Sequence, residues 1–243
     1  MMSTSTAWRA TVMRPMLCGV LLLSQLAGAA SPAGDAPAGP KWRPLLESST
    51  ASSWRGWTSG DLPSGWHVAD GVLSKEGPVD DLVSRELYAN FELELEWKIG
   101  KGGNSGVFFR GTRDYDHIYW SAPEYQLLDD ANAPDGGNRL TSAAAAYALY
   151  PSTAGVVAPF DHWNKTRIVV NGAHVEHWLN GEQVVTYELW SEEWKAKVKA
   201  SKYAAYPGYG LAKQGLLGIQ GDHPGTLALR NIRVRELAAP APR

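Results

Sequence analysis

The segment Phe91–Ile99, FELELEWKI, alternates without a break. Phe91, Leu93, Leu95, Trp97 and Ile99 fall on one side, and Glu92, Glu94, Glu96 and Lys98 on the other. A period of two is the pattern of a half-buried strand, and it leaves no helical face. Shorter apolar runs surround it: SGVFFR after a Gly-rich turn at 100–104, then RIVV, HVEHWL, EQVVTYEL, GLLGIQ and LALRNIRVREL. Asn171-Gly172, Asn180-Gly181 and Asp70-Gly71 sit between such runs, and dipeptides of this kind mark hairpins. Only 191–202, SEEWKAKVKASK, reads as a helix or a charged loop. Short strands at regular turn spacing predict an all-β, two-sheet jelly-roll sandwich. The 25 Gly, 15 Pro, 11 Trp and 10 Tyr, against 4 Phe and 4 Met, agree with a loop-rich β domain.

Charge narrows the function classes. Lys+Arg number 23 and Asp+Glu 25, so no basic excess exists to neutralise a phosphate backbone, and nucleic acid is not expected as a partner. The first 30 residues read as an export signal. Arg9 and Arg14 precede the apolar run 16–26 and the small-residue exit AGAA. The run is shorter than the ~20 residues of a membrane span. The expected organisation is a signal peptide over 1–30, a Pro/Ala/Gly lead-in over 31–41, a domain over 42–237 and a tail over 238–243. Export to the periplasm or beyond is expected. The single cysteine, Cys18, lies inside the apolar run, so the mature chain has no thiol or disulfide chemistry.

Face parity singles out polar residues. In PEYQLLDD, Tyr125 and Leu127 share one face, and Glu124 and Gln126 the other. In GNSGVFFR, Val107 and Phe109 oppose Phe108 and Arg110. With Val107, Phe109, Tyr125 and Leu127 in the core, Arg110, Glu124 and Gln126 face outward and can meet across neighbouring strands. That set is either a polar groove or an ordinary cross-strand ion pair. His177 shares parity with Val175 and Leu179, which also fits a satisfied core histidine. Asp222 and His223 occupy a strand-to-turn junction, a place where ligand contacts concentrate. Asp129 and Asp130 end a strand and either bind a ligand or cap a turn. The Glu92, Glu94, Glu96 series has the step of about 6–7 Å along a strand, so a retaining β-glucanase is one alternative.

Several phrases in order, GNSGVFFR, PEYQLLDD, YALYP, HWNKTRIVVNGAHVEHWLNG and GLLGIQGDHPGTLALRNIRVREL, resemble the 3-keto-disaccharide hydrolase family. That family lies in the concanavalin A-like lectin/glucanase superfamily, and the resemblance covers about residues 42–237. It departs from the pattern in carrying Gly221 before Asp222 and an alanine run at 143–146. The resemblance implies cleavage of 3-keto-glycosides, by elimination across carbons 1 and 2 and rehydration. It implies a functional link to a sugar 3-dehydrogenase that makes the ketone. Its implied proton-transfer candidates are Glu124, His177 and His223, with Arg110 for charge stabilisation. Asn104, Gln126, Asp129, Tyr147 and Asp222 are implied for substrate binding. A divalent metal is a further option, although no diagnostic ligand spacing is present. The competing reading is a non-catalytic carbohydrate-binding jelly roll, in which Tyr119, Trp120 and Tyr147 stack on sugars.

The export signal gives the first prediction. N-terminal sequencing of the exported protein is expected to start near Ser31. Cytoplasmic protein retaining residues 1–30 would contradict it.

Overall fold

In a computed structural model, the described residues are 40–153 and 155–240. The export segment over 1–30 lies outside them, as do most of the lead-in and the end of the tail. The strands in chain order are β1 (Arg43–Pro44), β2 (Trp54–Gly56), β3 (Trp66–Ala69), β4 (Val72–Glu76) and β5 (Leu82–Tyr88). They continue with β6 (Phe91–Ile99), β7 (Asn104–Gly111), β8 (Glu124–Leu128), β9 (Asn164–Asn171), β10 (His174–Leu179) and β11 (Glu182–Glu188). A helix, α1 (Glu192–Ala200), precedes β12 (Gly215–Ile219) and β13 (Thr226–Glu236).

Two antiparallel sheets face each other in a jelly-roll sandwich. The larger runs β11-β10-β9-β6-β13-β4-β3, with β1 also on β13, and the smaller runs β2-β5-β12-β7-β8. The predicted register of β6 holds. Phe91, Leu93, Leu95 and Trp97 are all buried, and so are Val107, Phe109, Tyr125 and Leu127 from the opposite sheet. The hairpin signals fold as hairpins. Asp70-Gly71 and Asn180-Gly181 have positive φ at both central residues, the geometry a type I′ turn requires. Asn171-Gly172 is shifted by one: the central pair is Gly172-Ala173, with φ of 64° at Gly172. The 191–202 segment resolves into α1, N-capped by Ser191, whose hydroxyl accepts from the Trp194 amide.

Strands β2 and β5 carry no alternation that sequence reading can use. Leu82, Val83 and Ser84 are consecutive and all buried, because the outer face of the smaller sheet is itself covered. Val83, Phe108 and Leu216 pack there against Trp57, Ile118 and Ala122. Chain segments folded over that face convert it from an exposed surface into a partly walled one.

One polar chain crosses the core. Trp97 Nε1 donates to Thr166 Oγ1 at 2.9 Å, Thr166 donates to the Tyr125 hydroxyl at 2.9 Å, and Tyr125 donates to the Trp178 carbonyl at 3.1 Å. Every donor in it finds an acceptor, and it ties β8 to the opposite sheet. Buried groups left unsatisfied cost about 1–3 kcal/mol each. Tyr125→Phe strands the Thr166 hydroxyl and the Trp178 carbonyl, and a loss of about 1–3 kcal/mol is expected in denaturant unfolding. A change below about 0.5 kcal/mol would show that the chain is energetically idle.

Candidate active site

The strand that sends Tyr125 inward sends Glu124 and Gln126 outward. They open into a cleft of about 250 Å³ over β7 and β8, with Asn104 beside them. β8 is the edge strand, and an open edge invites pairing. The alanine run closes it: the Ala144 amide donates to the Gln126 carbonyl, the Gln126 amide to the Ala145 carbonyl and the Tyr147 amide to the Glu124 carbonyl. Small side chains let this segment approach the strand, and it delivers Tyr147 to the cleft wall.

Glu124 is almost completely buried, at 5% exposure. Burial pushes its carboxyl up to about 8. Lys202 pulls against that shift, while Asp81, Asp222 and Asp135 push with it. The seat exists because position 106 is glycine: a Cβ at Gly106 would collide with the Glu124 carboxyl. With its amide nitrogen turned to Glu124, Gln126 donates to Oε1 at 3.0 Å and to the Ser105 carbonyl at 3.2 Å, leaving its oxygen toward Asn104. Across the cleft, Lys202 Nζ lies 4.3 Å from the Tyr147 ring centroid. The Tyr147 hydroxyl is 3.4 Å from Asp135 Oδ2. Burial, then Asp135 and Glu124, raise Tyr147 to about 12. Gln220 lines the cleft with a buried Oε1 that has no hydrogen-bond partner. Asp222 and His223 complete the rim.

The cleft therefore gathers Asn104, Glu124, Gln126, Tyr147, Asp222 and His223 from the sequence-based set. It does not gather the other three. Arg110 is buried and takes a φ of 53°. A left-handed residue breaks strand alternation, so parity does not carry past Phe109. Its Nε and Nη2 donate to the Ala89 carbonyl, its guanidinium sits 5.3 Å from the Trp190 ring, and burial lowers it to about 10. The expected Arg110–Glu124 pairing does not form. His177 is fully buried between the sheets. Nδ1–H donates to the Ala144 carbonyl at 2.9 Å, Nε2 lies 3.5 Å from the Tyr187 hydroxyl, and burial lowers the ring to about 4. It is a neutral core histidine. Asp129 caps a turn, with Oδ2 accepting from the Gly102 amide and Asn132 Nδ2, both at 2.8 Å.

Sequence reasoning missed Lys202, Asp135 and Gln220, and took Tyr119 only as a stacking residue. Lys202 is one of several lysines in a charged segment, and nothing local marks it out. Asp135 carries only a turn signal. Gln220 ends the apolar run GLLGIQ, and its parity with Gly218 was the available clue.

A larger hollow, about 330 Å³, lies on the outer face of the other sheet over β6 and β13. Its carboxylates are engaged. Glu92 pairs with Arg167 and Arg235, Glu94 with Arg233, and Glu96 with Arg230. Burial alone would raise Glu92 and Glu96, but hydrogen bonds from Arg235 and Arg167, and from Asn231 and Arg230, hold both below the usual carboxylate range. With all three glutamates bonded to arginines, that face offers no free acid and nucleophile pair, so the glucanase alternative is set aside. Among the described residues, no three His, Cys, Asp or Glu side chains form a metal-ligating cluster. Nor is any helix there long and apolar enough to cross a membrane.

Comparison with known proteins agrees with this fold. The profile of the 3-keto-alpha-glucoside-1,2-lyase-like domain matches residues 41–235. The chain belongs to this family. It is 35% identical over 225 residues to a 3-keto-disaccharide hydrolase of Bacteroides thetaiotaomicron, covering 79% of this chain and 77% of the relative. A crystal structure from Parabacteroides distasonis, provisionally assigned as a glycosyl hydrolase, superposes with a TM-score of 0.76 at 32% identity, covering 81% of this chain and 94% of that one. A Bacillus subtilis protein with a galectin-like fold matches at a TM-score of 0.54 and 12% identity, covering 84% of this chain and 98% of that one, which concerns fold alone.

The Glu124 environment sets a pH dependence. Its folded value of about 8 exceeds the ordinary 4.5, so the native state keeps a proton that the unfolded chain releases. Stability from this group is complete below about pH 4.5 and is lost as pH rises to about 8. Asp81, raised by burial to about 7, adds a loss of the same sign over a lower window. Melting scans from pH 4 to 9 should show a shallower decline for Glu124→Gln than for the wild type. Parallel curves would contradict the buried, proton-holding carboxyl.

Proposed function

We propose that the protein cleaves the glycosidic bond of 3-keto-glycosides by elimination and rehydration in this cleft. The observation that carries the reading is Glu124: a buried carboxyl raised to about 8, facing a polar cleft rather than a structural arginine. Family membership supplies the substrate class; the geometry supports the roles.

A ketone at carbon 3 acidifies the proton on carbon 2. Glu124, as carboxylate, takes that proton, and its raised value makes it a stronger base than an ordinary carboxylate. The electron pair forms the carbon 1–carbon 2 double bond as the bond from carbon 1 to the leaving oxygen breaks. Lys202 faces the negative charge that builds on the ketone oxygen. His223 or Tyr147 returns a proton to the leaving oxygen. Addition of water across the double bond completes a net hydrolysis. Asn104, Gln126 and the unpartnered Gln220 Oε1 are placed to hold sugar hydroxyls, and Asp222 adds an acceptor at the rim. The substrate has to arise by oxidation of a 3-hydroxyl, so the proposed place of the protein is after a sugar 3-dehydrogenase.

Incubation with matched 3-keto and unoxidised glycosides, with and without chelator, tests the reading and reports any metal requirement. Only the 3-keto compound should be cleaved. Glu124→Gln should lower turnover by roughly 10²-fold or more. The kcat/KM of the wild type should rise with pH through about 8, as Glu124 ionises. Binding without cleavage would favour a sugar-binding module instead, and wild-type turnover by Glu124→Gln would remove Glu124 from the chemistry.

A further inference from the structure

We infer that Lys75 and Asp81 are positioning residues that fix the turn carrying Asp222 and His223 at the rim of the cleft. The turn at 221–225 joins β12 to β13, and the segment 75–81 runs from the end of β4 to the start of β5. The two segments are bonded along their length. The Val79 amide donates to the Gly221 carbonyl at 3.0 Å, and the Gly77 amide to the Gly225 carbonyl at 3.1 Å. Asp81 Oδ1 accepts from the Gly221 amide at 2.7 Å. Lys75 Nζ donates to the His223 carbonyl at 2.7 Å, the Gly77 carbonyl at 3.0 Å and the Gly225 carbonyl at 3.4 Å.

Both side chains are buried, at 3% exposure for Lys75 and 5% for Asp81, and neither lines the cleft. A buried ammonium is expensive unless its donors are satisfied. The acceptors of Lys75 are all backbone carbonyls, two of them in the turn, so its charge is committed to holding this turn. Gly221 allows no slack, since a Cβ there would meet the Asp80 carbonyl at 2.7 Å and the Val79 carbonyl at 2.8 Å.

The side chains of Asp222 and His223 line the cleft. They remain 45% and 39% exposed, with 3.9 Å between Asp222 Oδ1 and His223 Nε2. Among the described residues, neither side chain makes a hydrogen bond of its own. Their placement is therefore inherited from the backbone, and the backbone is gripped from behind. A supporting shell of this kind holds functional groups to within fractions of an ångström.

The consequence for catalysis rests on the proposed function; the grip itself does not. The test uses the full chain with Lys75→Met, Asp81→Leu and Asp81→Asn, following 3-keto-glycoside turnover and amide hydrogen exchange. Lys75→Met and Asp81→Leu should lower kcat by roughly 10- to 100-fold, with KM within about threefold. Asp81→Asn retains an oxygen for the Gly221 amide and should restore kcat to within about threefold of wild type. Exchange should quicken at 221–225 in the two disruptive variants, with β6 still protected. Wild-type kcat and exchange in Lys75→Met and Asp81→Leu overturn the inference. Loss of protection throughout both sheets overturns it as well, because the pair would then hold the fold rather than the turn. If the wild type cleaves no 3-keto-glycoside, the proposed function fails, and the exchange measurement alone decides whether the grip exists.

Discussion

The Tyr125 hydroxyl is the contact on which the cleft depends. It stands at the middle of a chain that starts at Trp97 on β6, passes through Thr166 on β9 and ends at the Trp178 carbonyl on β10. Three strands of one sheet thus locate a single edge strand of the other. Side chains alternate along a strand, so fixing Tyr125 inward fixes Glu124 and Gln126 outward. A slip of one residue in β8 would bury the carboxyl in the sandwich and put the phenol in the cleft. The alanine segment makes that slip harder, because it bonds the free edge of β8 on both sides of Tyr125. His177 contributes from the core by holding the Ala144 carbonyl. A histidine that looks catalytic by type therefore supports the site from beneath, in its neutral form.

The electrostatics of the two outer faces differ in kind. Over β6, each glutamate meets an arginine, and tryptophans cover the arginines: Trp42 lies 4.7 Å from Arg233 and Trp163 lies 4.0 Å from Arg230. Exposed and half-exposed pairs of this sort contribute about 0–1 kcal/mol each and leave no reactive group. Over β8, Glu124 is buried without an arginine, its carboxyl in the space left where Gly106 has no side chain. Asp81, Asp222 and Asp135 all act to raise it further. Such a carboxyl is an unfavourable way to stabilise a fold. Its persistence in a cleft with an unpartnered Gln220 oxygen is the pattern of groups awaiting a ligand.

The sequence was most legible where alternation was strict. FELELEWKI predicted its own buried face correctly, and parity in PEYQLLDD separated the cleft residues from the core. Legibility failed where the backbone left the ideal strand. Arg110 looked like the cationic partner of Glu124, but its positive φ turns the chain and sends the guanidinium to Ala89 and Trp190. The cation that does face the cleft, Lys202, comes from a segment about 80 residues further on, through the covering of the smaller sheet. Non-local closure of that kind leaves no periodic trace. β5 was missed for a related reason: Leu82, Val83 and Ser84 are all buried and Arg85, Glu86 and Leu87 all exposed, so burial runs in blocks and does not alternate.

Gly221 shows how the turn that carries Asp222 and His223 is pinned through its backbone. It is seated directly on the backbone of 79–80, where no side chain would fit. The Gly221 carbonyl and amide are then both taken, by Val79 and Asp81. Beyond it, the buried ammonium of Lys75 draws the His223 and Gly225 carbonyls back toward β4. Glycine is needed for the close approach rather than for its φ, which is not among the positive values here. With Gly221 pressed against the neighbouring segment and the carbonyls beyond it held by Lys75, the two side chains of the turn are delivered to the cleft that Glu124 lines.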